Sequence, residues 1–314
     1  MRAIELRARD GVDKLEFVED APKPVPGRGE VLVRVYATSV SPTELGWYSS
    51  MNWSNEDGTP RAFPIVPGHD FSGVVAEIGE GVEGINTGEA KYGLLSFYRN
   101  GAEADYVIAL PREIAPKPRS LGHLEAAAVP LSGLTAWQAL FDHANLTSGQ
   151  SILILGASGG VGSFAVQFAS WSGAEVIAAT SKQNNREFLL NLGAKEVTGY
   201  SSFQHFSKKV DVVLDLVGGD VQNSSWSTIR AGGIFVSTVG GPLPQEKAAA
   251  AGAKGLFFIV TPNGKELAKI AELIDSGKVV SQIQKVLPLK DAKAAFEEGL
   301  SGHNRGKTVL QVSS

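Results

Sequence analysis

The glycine-rich segment at 156–162 has the residue types and the spacing of a phosphate-binding turn. Glycine occurs at every third position here, directly after the apolar run 152–155. Glycines allow a tight turn and a close ligand, and a helix that starts there offers free backbone N–H groups to an anion. This variant of the dinucleotide fingerprint predicts pyrophosphate binding by Gly156, Ser158, Gly159, Gly160, Val161 and Gly162. A tight turn without a ligand is the alternative.

The segments around this turn predict the elements that position it. Apolar runs at 175–180, 211–217 and 234–237 alternate with helical patterns, which is typical of a doubly wound, parallel α/β sheet. Up to about residue 115, short strand patterns punctuated by glycine and proline favour a β barrel or sandwich. A helix is predicted over 265–276, ending at Gly277, and a last strand over 308–312.

Composition excludes several classes of function. The chain has 314 residues, enough for two domains, and a net charge of −4 with no basic run, so we predict no nucleic-acid partner. It contains no cysteine, which excludes disulfides, thiolate metal sites and a cysteine nucleophile. No apolar stretch reaches the ~18 residues of a membrane span, and the N-terminus has no signal-peptide pattern. We therefore expect a soluble, cytoplasmic protein.

Six motifs in order along the chain resemble the medium-chain dehydrogenase/reductase superfamily. They are SVSPTE at 39–44, PGHDFSGVV at 67–75, AEADYV at 102–107, AAAVPLSGLTA at 126–136, the glycine turn, and VGG at 217–219. The chain is most similar to the zinc-independent quinone oxidoreductase branch, which includes zeta-crystallin-like and enone reductase-like proteins. The resemblance implies a GroES-like β domain plus a Rossmann doubly wound parallel-sheet domain. The implied boundaries are 1–119 for the first part of the GroES-like domain, 120–260 for the Rossmann domain and 261–314 for the return.

The departures from zinc-dependent relatives concern the metal ligands. Where those relatives have a zinc-binding cysteine this chain has Ser41, and a second cysteine expected near Leu131 is missing. The family histidine is kept as His69, and the residue after it is Asp70. Catalytic zinc needs about three protein ligands, so we predict no metal. His69 and Asp70 are instead predicted to fix the turn before the strand at Phe71 by hydrogen bonds.

The end of the second strand of the α/β region predicts the cofactor. An NAD-binding site normally has an acidic residue there, about 20 residues after the glycines, to bind the ribose hydroxyls. This chain has Ser181 and Lys182, with Arg186 close behind, and these residues suit a 2′-phosphate. Tyr200 resembles a tyrosine that holds this phosphate in related reductases. We predict NADPH, with solvated surface charges as the alternative; the resemblance adds Thr135, Val217, Gly218 and Val239 to the cofactor contacts.

NADPH without a metal predicts hydride transfer to a conjugated, electron-poor acceptor. A quinone or an α,β-unsaturated carbonyl spreads the developing negative charge and needs hydrogen-bond donors rather than a Lewis acid. The candidate donors are Ser41, Thr43 and Tyr48. The resemblance places Trp47, Trp53, Leu131, Phe257 and Phe258 near the substrate, although ordinary packing would also explain the aromatic ones. An enoyl-thioester reductase, and an NADPH-binding structural or redox-responsive protein with little turnover, stay open as alternatives.

Three further predictions concern surface positions. Lys91 replaces an apolar strand residue, which predicts an edge or exposed position. The segment 305–307 resembles the family's closing motif near the cofactor, but we favour a solvated hairpin turn. Relatives are commonly dimers joined through the edge of the Rossmann sheet, and 255–260 is the candidate edge strand for a homodimer.

Overall fold

The computed structural model describes residues 1–9, 11–50, 55, 58–59, 61–205, 208–302 and 305–313. The strands are β1 (Ala3–Leu6), β2 (Leu15–Val18), β3 (Val31–Ser39), β4 (Asp70–Ile78), β5 (Ala90–Leu94), β6 (Tyr106–Ala109), β7 (Ile114–Pro116), β8 (Ser151–Leu155), β9 (Glu175–Ala179), β10 (Glu196–Thr198), β11 (Val210–Asp215), β12 (Ile229–Ser237), β13 (Lys254–Phe257), β14 (Ile283–Pro288) and β15 (Lys307–Gln311). The α-helices are α1 (Glu44–Ser50), α2 (His123–Ala127), α3 (Pro130–Trp137), α4 (Gly160–Trp171), α5 (Arg186–Asn191), α6 (Gly219–Ser225), α7 (Gln245–Ala251), α8 (Gly264–Asp275) and α9 (Ala292–Leu300). None of the helices in these described ranges has the length and apolar character needed to cross a bilayer.

The chain forms two compact units. Unit 1 comprises Met1–Leu131, Thr261–Gly277 and Ser281–Ser314, and unit 2 comprises Ser132–Val260 and Lys278–Val280. The sequence places the domain boundary after residue 119, before α2. In the structure α2 packs against β3 and β4, so its contacts belong to unit 1.

Unit 1 is built on a seven-stranded sheet that both ends of the chain complete. Its strand order is β14-β15-β3-β4-β5-β7, with β6 also paired to β3, and β1 and β2 form a separate hairpin. β15 runs antiparallel to β3, with Val309 opposite Ser39. Alternate valines of β3 are buried in the core of this unit with Phe71 and Leu310, because successive side chains of a strand point to opposite faces.

Unit 2 contains a six-stranded sheet in which every pair of neighbours is parallel. Its order is β10-β9-β8-β11-β12-β13, the order of the doubly wound dinucleotide-binding fold, which confirms the predicted fold class. Every residue of β8 is buried, as expected for a central parallel strand covered on both faces. Ligands of such sheets bind beyond the carboxyl ends of the strands where the order reverses, which here are β8 and β11.

The environment of Lys91 corrects one prediction. β5 pairs with both β4 and β7, so it is not an edge strand. Lys91 is only 8% exposed, and its Nζ lies 2.8 Å from Glu89 Oε2. The lysine is accommodated inside the sheet because a neighbouring carboxylate neutralises its charge, a contact that strand periodicity alone does not show.

Candidate functional site

The glycine turn of unit 2 forms a strand–turn–helix unit, as the sequence predicts. β8 ends at Leu155, Gly156 adopts a left-handed φ of +77°, and α4 begins at Gly160. A Cβ on Gly162 would lie 2.3 Å from the Gly156 carbonyl oxygen, so the helix packs against the turn more closely than any side chain allows. The first N–H groups of α4 have no acceptor within the helix and suit an anion.

The ends of β11 and β12 complete this cradle. A Cβ on Gly156 would lie 3.1 Å from Val217 Cγ2, and one on Gly218 would lie 3.4 Å from Val239 Cγ2. Four residues that the sequence assigns to the cofactor therefore come together, although they follow three different strands. Val217 is 39% exposed, which leaves an apolar surface beside the turn.

Asp215 holds this part of the cradle in place, a role that the sequence analysis missed. Its carboxylate is fully buried and accepts hydrogen bonds from Val217 N at 3.0 Å and Gly218 N at 2.9 Å. Gln222 Nε2 at 2.7 Å and Ser237 Oγ at 2.9 Å donate to its second oxygen. An acidic residue that ends a strand otherwise rich in valine and leucine was the available signal.

A pocket of about 290 Å³ opens at the ends of β9 and β10, where the sequence predicts the 2′-phosphate. Its lining contains Thr180, Ser181, Arg186, Val197, Thr198, Gly199, Tyr200 and Ser201. None of these described residues is acidic, and Arg186 contributes a positive charge. Lys182 follows Ser181 and is exposed. The pocket therefore brings together three of the four residues predicted for this group.

Hydrogen bonds connect this pocket to the glycine turn. Thr180 Oγ1 lies 3.4 Å from Ser158 Oγ and accepts a hydrogen bond from Asn185 Nδ2 at 3.1 Å. Burial raises the pKa of Tyr200 above its usual value, against the lowering effect of a hydrogen bond from the Gly156 backbone. The phenol is thus neutral and touches both the turn and the pocket. Arg186 is fixed by a 3.1 Å hydrogen bond from Nη1 to the Val197 carbonyl.

The predicted substrate residues are divided between the two units. Trp47 packs edge to face on Phe97 in unit 1, with ring centroids 5.5 Å apart. Phe258 is buried in unit 2, with its ring centroid 4.4 Å from that of His143. Phe257 is half-buried at the end of β13, and Leu131 is half-buried at the end of the first segment of unit 1. Thr135, which was predicted as a cofactor contact, is buried in α3. Trp53 lies outside the described residues.

In unit 1, Asp70 is the centre of a buried polar cluster. Asp70 Oδ1 accepts a hydrogen bond from the Leu131 backbone N–H at 2.5 Å, and Ser39 Oγ donates to Oδ2. Lys307 Nζ lies 3.3 Å from Oδ2 and donates to Ser41 Oγ at 3.1 Å. Burial raises the pKa of Asp70, although Lys307 and these hydrogen bonds oppose the rise.

This cluster bears on two predictions, the solvated hairpin at 305–307 and the hydrogen-bond donors Ser41 and Thr43. Lys307 is only 7% exposed, so the prediction of a solvated hairpin at 305–307 is wrong for this residue. Lys307 can be buried because the carboxylate of Asp70, at the start of β4, is the partner of its charge. Of the candidate donors, Ser41 is in the cluster at 7% exposure, whereas Thr43 is exposed.

A second cluster surrounds Glu44 and corrects the prediction for Tyr48. Tyr48 is 1% exposed, and its hydroxyl donates to Glu44 Oε1 at 2.7 Å, so it is not a free donor for a substrate. His69 Nδ1 and the Gly68 N–H both lie 2.8 Å from the same oxygen. Burial raises the pKa of Glu44, but His69 and these hydrogen bonds outweigh it and lower the pKa below its usual value. His69 thus fixes the turn before β4.

Glu103 is buried beside this cluster without a hydrogen-bond partner. The side chain is 0% exposed, and neither carboxyl oxygen has a partner among the described residues. Burial, together with the negative charge of Glu44, raises the pKa of Glu103 well above its usual value. The folded state thus favours the protonated carboxyl group, because an isolated buried carboxylate is very costly.

Replacing Glu103 with glutamine will make the free energy of unfolding less dependent on pH. Because the pKa of Glu103 is raised in the folded state, its stabilising effect is complete at low pH and is lost as the pH rises above the unfolded value. Glu103→Gln removes this loss. The unfolding free energy of the variant minus that of the wild type should therefore rise by up to about 1.4 kcal/mol for each pH unit. Urea unfolding from pH 5 to pH 8 measures it. Glu80→Gln, at an exposed turn, is the control; parallel wild-type and Glu103→Gln profiles would contradict the assignment.

Comparison with known proteins agrees with these observations. Residues 27–119 match the family model of the alcohol dehydrogenase GroES-like domain, and residues 192–310 match that of the zinc-binding dehydrogenases. One relative is a protein of Arthroderma benhamiae described as a probable mitochondrial zinc-binding oxidoreductase. It is 34% identical over a region that covers 94% of this chain and 92% of the relative's length. The chloroplast envelope quinone oxidoreductase homolog of Arabidopsis thaliana is 31% identical, over 96% and 95%. The structure of the quinone oxidoreductase from Coxiella burnetii superposes with a TM-score of 0.88 at 31% identity, covering 99% of both chains.

One family and one relative have zinc in their names, so the donor atoms of this chain are compared with those that a zinc ion requires. No three histidine, cysteine, aspartate or glutamate side chains in the described part of the chain converge as a metal site. Ser41 and Leu131 stand where the resemblance implies cysteine ligands, and the ammonium of Lys307 contacts Ser41 and Asp70. A cation at this point repels a second cation, so these residues do not fit a zinc ion.

The family follows from the comparisons together with the fold. Relatives at least 31% identical cover nearly the whole chain, and the doubly wound sheet carries a glycine cradle for a dinucleotide. The resemblance drawn from the sequence is thereby confirmed. The chain is an NAD(P)H-dependent oxidoreductase of the medium-chain dehydrogenase/reductase superfamily, similar to quinone oxidoreductases.

Proposed function

We propose that this protein is an NADPH-dependent reductase of quinones or α,β-unsaturated carbonyl compounds and that it works without zinc. The observation that carries the proposal is the polar cluster around Asp70, in which a hydroxyl and an ammonium surround a single carboxylate, whereas catalytic zinc needs about three protein ligands. Such a cluster can stabilise a developing oxyanion by hydrogen bonding but cannot coordinate an alcohol as a metal does. The similar quinone oxidoreductase from Coxiella burnetii and the 2-methylene-furan-3-one reductase of Solanum lycopersicum support this reaction class.

The residues of unit 2 fit NADPH. The backbone N–H groups at the start of α4 would hold the pyrophosphate. Gly162 lets this helix start pack closely against the turn, because a Cβ there would lie 2.3 Å from the Gly156 carbonyl oxygen. Ser181, Arg186 and Tyr200 would hold the 2′-phosphate in their pocket, and Lys182 would add a second positive charge at its edge. When bound, the cofactor supplies the hydride.

In unit 1, the hydroxyl groups of Ser41 and Thr43 are the proposed donors to the acceptor oxygen. Tyr48 is not assigned this role, because its hydroxyl is buried and donates to Glu44. Hydride transfer to a conjugated acceptor leaves negative charge on the oxygen, and a hydrogen bond that strengthens with this charge accelerates the reaction. Water can supply the final proton. A homodimer through the sheet edge at β13 and a cytoplasmic location stay predictions from the sequence.

A panel assay tests the proposed function. Protein and NADPH are mixed with quinones, enones and saturated ketones, and the loss of nicotinamide absorbance is followed before and after treatment with a zinc chelator. We expect turnover on the conjugated acceptors only, at a rate that chelation leaves unchanged. Binding of NADPH without turnover on any acceptor would favour a non-enzymatic protein. Alcohol oxidation that chelation abolishes would contradict the proposal.

A further inference from the structure

Three neighbouring strand ends bring Ser41, Asp70 and Lys307 together. β3 pairs with β4 so that Ser39 lies opposite Asp70, the first residue of β4. β15 pairs with the other side of β3, and the Val40 N–H donates to the Thr308 carbonyl at 2.9 Å. Ser41 follows directly after this hydrogen bond, and Lys307 is the first residue of β15. The backbone ladders therefore fix the positions of all three side chains.

Asp70 anchors the ammonium group of Lys307. Asp70 is 1% exposed and Lys307 7% exposed, so water solvates neither charge well. The distance of 3.3 Å between Lys307 Nζ and Asp70 Oδ2 gives each charge its partner. Ser39 and the Leu131 N–H hold the carboxylate at the same time. An ammonium held in this way has a defined position and can donate another hydrogen bond in a fixed direction.

That hydrogen bond goes to Ser41. Lys307 Nζ donates to Ser41 Oγ at 3.1 Å, and an ammonium has no lone pair with which to accept in return. The serine hydroxyl thus accepts from the lysine, and its own proton must point to another acceptor. A hydroxyl that accepts a charge-assisted hydrogen bond is polarised and becomes a stronger donor.

We propose that Lys307 is a positioning residue for acceptor reduction: held by Asp70, it orients and polarises Ser41 so that the serine hydroxyl donates to the acceptor oxygen. The hydroxyl keeps its proton and stabilises the negative charge that forms on that oxygen. Lys307 touches neither cofactor nor acceptor in this role and acts through Ser41. The inference rests on the proposed function and adds the residue that makes Ser41 an effective donor without a metal.

Steady-state kinetics of four variants test this inference. Lys307→Met, Ser41→Ala, their double variant and Lys307→Arg are assayed with NADPH and a quinone. We expect Ser41→Ala to lower kcat by about 100- to 1,000-fold and Lys307→Met to lower it by up to the same factor, with the KM for NADPH unchanged. The double variant should be no slower than Ser41→Ala, because the lysine acts through the serine. Lys307→Arg should restore part of kcat, since it keeps the positive charge.

Two additional variants separate this role from structural damage. Lys91→Met removes another buried, carboxylate-paired lysine of unit 1 and should leave kcat unchanged. Lys307→Met/Asp70→Asn removes both charges, so no unpaired charge stays buried if Lys307→Met alone unfolds. This neutral variant should fold and show the same loss of kcat.

The outcomes distinguish the inference from the proposed function. A wild type that reduces quinones, with kcat unchanged in Lys307→Met or in the neutral variant, overturns the inference and leaves the function standing. Multiplicative losses in the double variant also overturn it, because the lysine then does not act through Ser41. A wild type that reduces no conjugated acceptor removes the proposed function and the inference with it.

Discussion

Gly162→Ala will disrupt the cofactor cradle and destabilise the protein. The added Cβ would lie 2.3 Å from the Gly156 carbonyl oxygen and 2.6 Å from Ala157 Cα, so backbone atoms of the turn must move. Such overpacking typically costs about 1–3 kcal/mol of unfolding free energy. A displaced turn no longer presents its N–H groups correctly, and an error of about 1 Å can lower kcat/KM for NADPH about 100-fold. Urea unfolding and cofactor kinetics measure the two effects.

Gly159→Ala is the matched control for stability. Its Cβ would lie 3.5 Å from the Gly156 oxygen, an ordinary van der Waals contact, and its φ of −74° suits any residue. Gly159 is the N-cap of α4, where alanine is less favourable than glycine, so a loss within about 1 kcal/mol is expected. If Gly162→Ala is as stable as this control and its kcat/KM for NADPH is unchanged, then close packing of α4 on the turn is not required for stability or for cofactor binding.

Ser181→Asp will shift the cofactor preference from NADPH towards NADH by about 100-fold or more, measured as the ratio of the two kcat/KM values. In the pocket with Arg186 and Tyr200, an aspartate would oppose a 2′-phosphate, and like charges placed together cost several kcal/mol, where each ~1.4 kcal/mol is a factor of ten. The same carboxylate could accept hydrogen bonds from the ribose hydroxyls of NADH. The substitution should leave folding unchanged, because Ser181 is exposed.

Ser227→Asp controls for added negative charge. This exposed serine lies in unit 2 but does not line the pocket. It should leave the ratio of the two kcat/KM values close to that of the wild type. An unchanged ratio in Ser181→Asp as well would show that the pocket does not hold the 2′-phosphate, and Lys182 and Arg186 would then be solvated surface charges.

The strand–turn–helix geometry around the glycines was predictable because its signals are local. The turn, the strand before it and the helix after it lie within 151–171, and the spacing of the glycines follows from the close packing between them. The missing acid after β9 is likewise visible in the sequence. The role of Asp215 was less visible, since its four hydrogen-bond donors become apparent only when the loop after β11 is folded.

The other polar sites were not predictable from spacing. Tyr48 was predicted as a donor to the substrate, but the fold places its hydroxyl on Glu44. Lys91 and Lys307 were assigned to exposed positions, yet both are buried beside carboxylates. Glu103 gives no sequence signal at all, because its alternation with alanines is equally compatible with a solvated face.

By itself, the sequence determined the doubly wound sheet, the glycine cradle, the absence of cysteine ligands and the absence of an acidic residue after β9. These are properties of residue types at short range, where backbone geometry links spacing directly to structure. Only the tertiary structure decided that Lys307 meets Asp70 and Ser41. Lys307 is far from both in the chain, and the contact exists because β15 joins the sheet beside β3. Strand pairing across such separations depends on the packing of the whole unit, which no local pattern encodes.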